Sequence, residues 1–83
     1  MNAITTQMDE LVTQIVRSLV DNPQDVLVNA VEGNHTTVLE LRVAKEDIGK
    51  VIGKQGRTAQ ALRTLIGAVS AKIRKRTVLE IVD

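Results

Sequence analysis

The sequence predicts an α+β domain in the order α-β-β-α-α-β, with a three-stranded sheet packed against three helices. Three observations lead there. Apolar residues recur at helical spacing near the start and again after residue 56. Two β-rich segments flank the turn-forming residues Glu32-Gly33-Asn34-His35, and a third alternating segment closes the chain. Between the two later helical segments lies "IGKVIGKQG", residues 48–56. It holds three glycines and two lysines within nine residues.

The first helix rests on Ile4, Met8, Leu11, Val12, Ile15, Val16, Leu19 and Val20. Thr6-Gln7-Met8-Asp9 resembles a capping box at its start. Pro23 stops it, because proline disfavours helical geometry at the preceding Asn22. "DVLVNAVEG" and "TTVLELRVA" then read as a hairpin. In the second strand Leu39, Leu41 and Val43 should face the core, while Val38, Glu40 and Arg42 should be more exposed. A short helix is expected from about Lys45 to Ile52, too short to stand without packing. Ala59, Leu62, Leu65, Ile66, Val69 and Ile73 mark a longer one. Gly67 inside it costs about 1 kcal/mol relative to alanine, for which close packing against a neighbour is the expected reason. "TVLEIVD" alternates as the last strand, with Leu79 and Ile81 on one side.

With 83 residues the chain has room for one small domain, residues 1–83. Residues 1–24 supply the N-terminal helix, and residues 25–83 the strands, the glycine-linked helices and the last strand. There is no cysteine, hence no disulfide framework, which fits a reducing cytoplasm. The N-terminus lacks the basic flank and apolar core of a secretory leader. No apolar run approaches the ~20 residues of a membrane span, so no membrane partner is expected. Phe, Tyr and Trp are absent, so any nucleic-acid binding must work without aromatic stacking.

Charge is unevenly distributed along the chain. Residues 1–44 carry two arginines against six acids, whereas residues 45–76 carry nine Lys and Arg against Glu46 and Asp47. From Ile48 to Arg76 there is no acid at all. That polarity is an electrostatic footprint for a polyanion. The plainer alternative is a solvated face balanced in space by the acidic half.

The "GKQG" turn, Gly53–Gly56, joins the short helix to the long one. Its glycines let the backbone touch a ligand, and the N–H groups opening the following helix attract phosphate. Lys54 and Gln55 stand at the tip, one a point charge and the other a hydrogen-bond donor. Arg57 lies in the first turn of the next helix, where a cation opposes the helix dipole unless an anion sits nearby.

Enzymatic readings fare worse. A nucleotide-binding P-loop needs four residues between its first glycine and the Gly-Lys pair, followed by Ser or Thr. Here Gly49 and Gly53 are one residue too close, and Gln55 stands where the hydroxyl belongs. His35, the sole histidine, falls in the hairpin turn without an orienting partner. One histidine and no cysteine leave no metal-ligand set. No catalytic residue, metal or cofactor is expected.

The run "IGKVIGKQGRTAQALRTL" resembles the KH domain, whose GXXG loop clamps nucleic-acid backbone. The element order resembles the type II topology. The length and the tail "TLIGAVSAKIRKRTVLEIVD" are similar to the small bacterial single-KH proteins of the KhpA family. The resemblance implies an RNA-binding protein, not an enzyme. Gly53, Lys54, Gln55 and Gly56 would hold the sugar-phosphate backbone, with the basic Arg57 following. Ile48, Val51 and Ile52 would line an apolar groove for the bases, with Arg42 on the opposite wall. For the three apolar residues, core and groove both remain open. Lys72, Arg74, Lys75 and Arg76 would either widen the basic face or form a solvated cluster.

The resemblance further implies a cytoplasmic RNA chaperone or post-transcriptional regulator. It would act as a homodimer or as a heterodimer with a larger KhpB-like KH-containing protein, with links to cell elongation, cell shape and the cell wall. A protein-interaction or dimerisation module, or a binder of single-stranded DNA, are the competing readings.

Overall fold

The computed structural model describes residues 3–82, with side chains from Gln7 onward. Helix α1 runs over Ala3–Leu19, β1 over Leu27–Glu32, β2 over Thr36–Arg42, α2 over Ile48–Ile52, α3 over Arg57–Ile73 and β3 over Arg76–Val82. The expected α-β-β-α-α-β order is therefore observed. One-turn 3₁₀ segments at Pro23–Asp25 and Lys45–Asp47, and a left-handed turn at Lys54–Gly56, make the tight corners.

Helix α1 begins at Ala3, which puts Thr6 inside its first turn rather than at its cap. The Thr6 side chain lies outside the described residues, as does that of Ile4. Met8, Val12 and Val16 bury the α1 face that meets the sheet, and Val20 continues the stripe just past the helix. Leu11 and Leu19 fall off that stripe and are exposed.

The sheet has the strand order β1-β2-β3. β1 and β2 pair antiparallel around the expected turn, where the Gly33 N–H donates to the Thr36 carbonyl at 2.8 Å. β3 runs parallel to β2. A parallel return needs a long crossover, and α2 with α3 supply it. Leu39 and Leu41 are completely buried beside Thr37, whereas Val38, Glu40 and Arg42 point away, as the alternation predicts. Each wholly buried leucine contributes about 1.5–3 kcal/mol by leaving water.

Asp47 ties the short helix to the end of α1. Its side chain is buried, 1% exposed. It accepts from the Asn22 side-chain amide at 3.0 Å, the Asn22 backbone N–H at 3.0 Å and the Asp21 N–H at 3.3 Å. A buried carboxylate is tolerated only with such partners. The five-residue α2 is thereby held by a hydrogen-bonded anchor on one side and by the buried Val51 beneath.

Gly67 departs from expectation. It is exposed, and a Cβ built there meets nothing within 4 Å. Close packing is not its reason.

Candidate nucleic-acid interface

The turn between α2 and α3 is built almost wholly from left-handed backbone. Gly53 has φ 77° and ψ 170°, a conformation restricted to glycine, and Gly56 has φ 75° and ψ 12°. A Cβ on Gly53 would also collide with Thr58 Oγ1 and fall 2.8 Å from the Thr58 nitrogen. Gln55 takes φ 57° although it is not glycine. Gly49, the first glycine of the stretch, has neither constraint: it sits in α2 facing open space.

Backbone bonds close the turn. The Gly53 N–H donates to the Gly49 carbonyl at 2.9 Å, and the Gly56 N–H to the Gly53 carbonyl at 3.0 Å. The Arg57 N–H donates to the Lys54 carbonyl. The N–H groups at the start of α3 are thus partly used within the turn, and only the remainder fit the sequence expectation. Among the described residues no side chain caps α3.

Lys54, Gln55 and Arg57 are all exposed at this corner. The Arg57 guanidinium donates to Gln55 Oε1 at 3.3 Å, which leaves the Gln55 NH₂ available as a donor. The Lys54 ammonium has no hydrogen bond or ion pair among the described residues. Lys50, the other lysine of the stretch, is engaged: its Nζ lies 3.2 Å from Asp21 Oδ2. That pair is exposed, so it orients Lys50 more than it stabilises the fold.

A groove of about 510 Å³ opens beside the turn. Ile48, Ile52, Gly56, Ala59 and Arg63 form one wall, and Val78 through Ile81 of β3 form the other. Ile48 is half-buried and Ile52 exposed. Val51, the third apolar residue of α2, is 0% exposed and belongs to the core. A five-residue helix turns one side to the core, and Val51 is on it. Arg42 does not line the groove; it lies exposed at the end of β2, paired in register with Leu27 and Val82. The opposite wall is β3 because β3, not β2, is the edge strand on that side. Sequence reading missed Arg63 and Glu80 here. The acid-free run contained Arg63, but nothing local to either residue shows which strand borders the groove.

A second cleft continues from the first along α3 and β3. It shares Arg63, Val78 and Leu79 with the groove and ends at Arg76 and Thr77. Of the basic cluster before β3, only Arg76 reaches it; Lys72 and Arg74 are exposed elsewhere and Lys75 is half-buried. Among the described residues, no helix is long and apolar enough to cross a membrane.

The family described as "KhpA/KhpB, KH domain" matches residues 9–81. Over 75 residues the chain is 55% identical to the RNA-binding protein KhpA of Caldanaerobacter subterraneus subsp. tengcongensis, covering 90% of this chain and 100% of that protein. The RNA-binding protein KhpA of Borreliella burgdorferi is 53% identical over 74 residues, covering 89% and 90% of the two chains. Among solved structures, a variant of Aquifex aeolicus Era bound to GDP and aluminium fluoride aligns with a TM-score of 0.59 at 18% identity, over 90% of this chain and 29% of that one. Era in complex with MgGDPNP and a segment of 16S ribosomal RNA gives 0.59 at 19%, over 89% and 28%. At that identity the likeness to Era concerns the fold alone.

Proposed function

The chain belongs to the KhpA/KhpB KH-domain family, which is not an enzyme family, and on that premise we propose that it binds single-stranded RNA through the Gly53–Gly56 turn and the adjoining groove. The relatives at about half identity are named RNA-binding proteins. The observation that carries the reading is the corner itself. Gly53 in a glycine-only conformation and Gly56 in a left-handed one bring the backbone to the surface, with Lys54, the Gln55 amide and Arg57 around it. Phosphate would meet the turn, and bases would lie against Ile48, Ile52 and Ala59. An aliphatic groove of this size reads few bases, so affinity from one domain is modest and largely electrostatic.

The double variant Lys54→Asp, Gln55→Asp tests this. Both side chains are exposed, so the fold should survive, as circular dichroism would check. Fluorescence anisotropy of a labelled mixed-sequence single-stranded RNA is read at two salt concentrations, because the chain has no Trp or Tyr to report binding. Wild type should bind more weakly at higher salt, and the folded variant should lose binding. Equal binding by both would move the phosphate site to Lys72–Arg76. Binding by neither would sink the RNA reading. A labelled single-stranded DNA of the same sequence separates the two nucleic acids.

In the cell the proposed role is that of a cytoplasmic RNA chaperone or post-transcriptional regulator, acting with a KhpB-like partner in cell elongation and envelope homeostasis. A specific observation also favours self-association. Leu11 of α1 and Leu65 of α3 are 53% and 54% exposed and flank one apolar cleft floored by Val12, Leu62 and Ile66. A second copy presenting the same two leucines would cover it, as an isologous dimer requires. Sedimentation of wild type against Leu65→Lys would show a dimer lost in the variant; a monomeric wild type would leave the cleft to a heterologous partner.

A further inference from the structure

One face of the sheet packs into the core through Leu39, Leu41 and Leu79. The other face is open. Leu27, Val31 and Val78 stand on it at 59%, 50% and 36% exposure. Strand register sorts that face into rows across β1, β2 and β3. Val31, Val38 and Val78 lie side by side in the first. Asn29, Glu40 and Glu80 form the second, and Leu27, Arg42 and Val82 the third. Beyond the valines, Arg76 stands beside Thr36. A solvated sheet face is ordinarily polar; here one row is wholly aliphatic and another is aliphatic at both ends.

The middle row sets two carboxylates beside each other on neighbouring strands, an arrangement that is destabilising when nothing neutralises it. Glu40 Oε1 accepts from the Asn29 amide at 3.3 Å. Glu80 makes no hydrogen bond or ion pair among the described residues. Neither Arg42 nor Arg76 pairs with either carboxylate among them.

That charge pattern limits what can cover the face. A polyanion would meet the paired carboxylates. A second copy seated face to face would bring its own carboxylate pair against this one. A cation framed by aliphatic residues fits, because the carboxylates only accept hydrogen bonds and an ammonium or guanidinium only donates them. Successive rows lie about 6.6 Å apart, twice the rise per strand residue. Along a helix, residues i and i+4 are separated by about 6 Å. A helix laid along the strands, with aliphatic, basic and aliphatic residues at i, i+4 and i+8, therefore matches the three rows.

We propose that the open face of the sheet docks an amphipathic helix of a protein partner, with a Lys or Arg from the middle of its apolar stripe seated between Glu40 and Glu80. Val78 and Glu80 also border the groove, so this partner lies next to the groove's occupant. The inference does not depend on the RNA-binding reading.

The probe is a designed alanine-rich helix of about 16 residues, long enough to be helical in water. It carries Leu, Arg and Leu at that spacing; a control peptide has Glu in place of Arg. Methyl NMR follows wild type and the double variant Glu40→Lys, Glu80→Lys, with circular dichroism as the folding check. In wild type the Arg peptide should shift the methyls of Val31, Val38 and Val78. The Glu peptide should bind about tenfold more weakly. The double variant should reverse that preference, a gain that misfolding does not produce. Shifts confined to Leu11 and Leu65, or to Ile48 and Ile52, would put the peptide in the α1–α3 cleft or the groove and overturn the proposal. So would the absence of shifts with both peptides, or an unchanged preference in the double variant.

Discussion

Asn22 holds Asp47 twice, through its backbone N–H and its side-chain amide, each 3.0 Å from Oδ2. The contact joins residues 25 apart in sequence and sets the entry of α2, the helix that carries the glycine turn. Burial pushes the Asp47 carboxyl upward. The hydrogen bonds from Asn22 and Asp21 and the Lys50 charge more than offset this, leaving its pKa below the ordinary 3.8.

A group whose folded pKa is depressed stabilises the fold above its unfolded pKa, and that contribution is lost as pH falls through the folded value. Wild type should therefore lose melting temperature as pH drops below the ordinary carboxylate range. Asp47→Asn should lower the melting temperature at neutral pH and flatten part of that acid dependence, because its amide would set donors against donors. Thermal melts of both proteins across acid pH check this. An unchanged pH profile in the variant would remove Asp47 from the acid response.

The two turn glycines should differ in their tolerance. Gly56→Ala forces a left-handed residue into open space, at about 1–2 kcal/mol. Gly53→Ala adds a collision with Thr58, including its backbone nitrogen, and should cost more. Urea titration of the two variants gives the order directly. Equal losses would mean that Thr58 moves aside freely.

Gly67→Ala should stabilise the protein by about 0.5–1 kcal/mol, since the site is helical, exposed and empty around the new methyl group. A loss in a urea titration would show that this face is covered in solution.

Thr37 buries its hydroxyl at 0% exposure without a hydrogen-bond partner among the described residues. Thr37→Val keeps the shape and removes the unpaired group, whose burial costs about 1–3 kcal/mol. The variant should be as stable as wild type or more so in the same titration. A clear loss would mean that the hydroxyl is bonded to water in solution.

Periodicity along the chain determined the order of elements, the inward set of β2 and the helix–glycine–helix corner. Each of these depends on residues within a few positions of one another. The conformational demand at Gly53 and Gly56 was legible for the same reason, since turn backbone is local. Tertiary structure decided the rest. Which side of α2 meets the core separates the buried Val51 from Ile48 and Ile52. Parallel pairing with β2 puts β3 at the edge, so Val78 through Ile81 replace Arg42 as the second wall. Strand order and the face a short helix presents arise from contacts between distant segments, and local periodicity does not encode which segments meet.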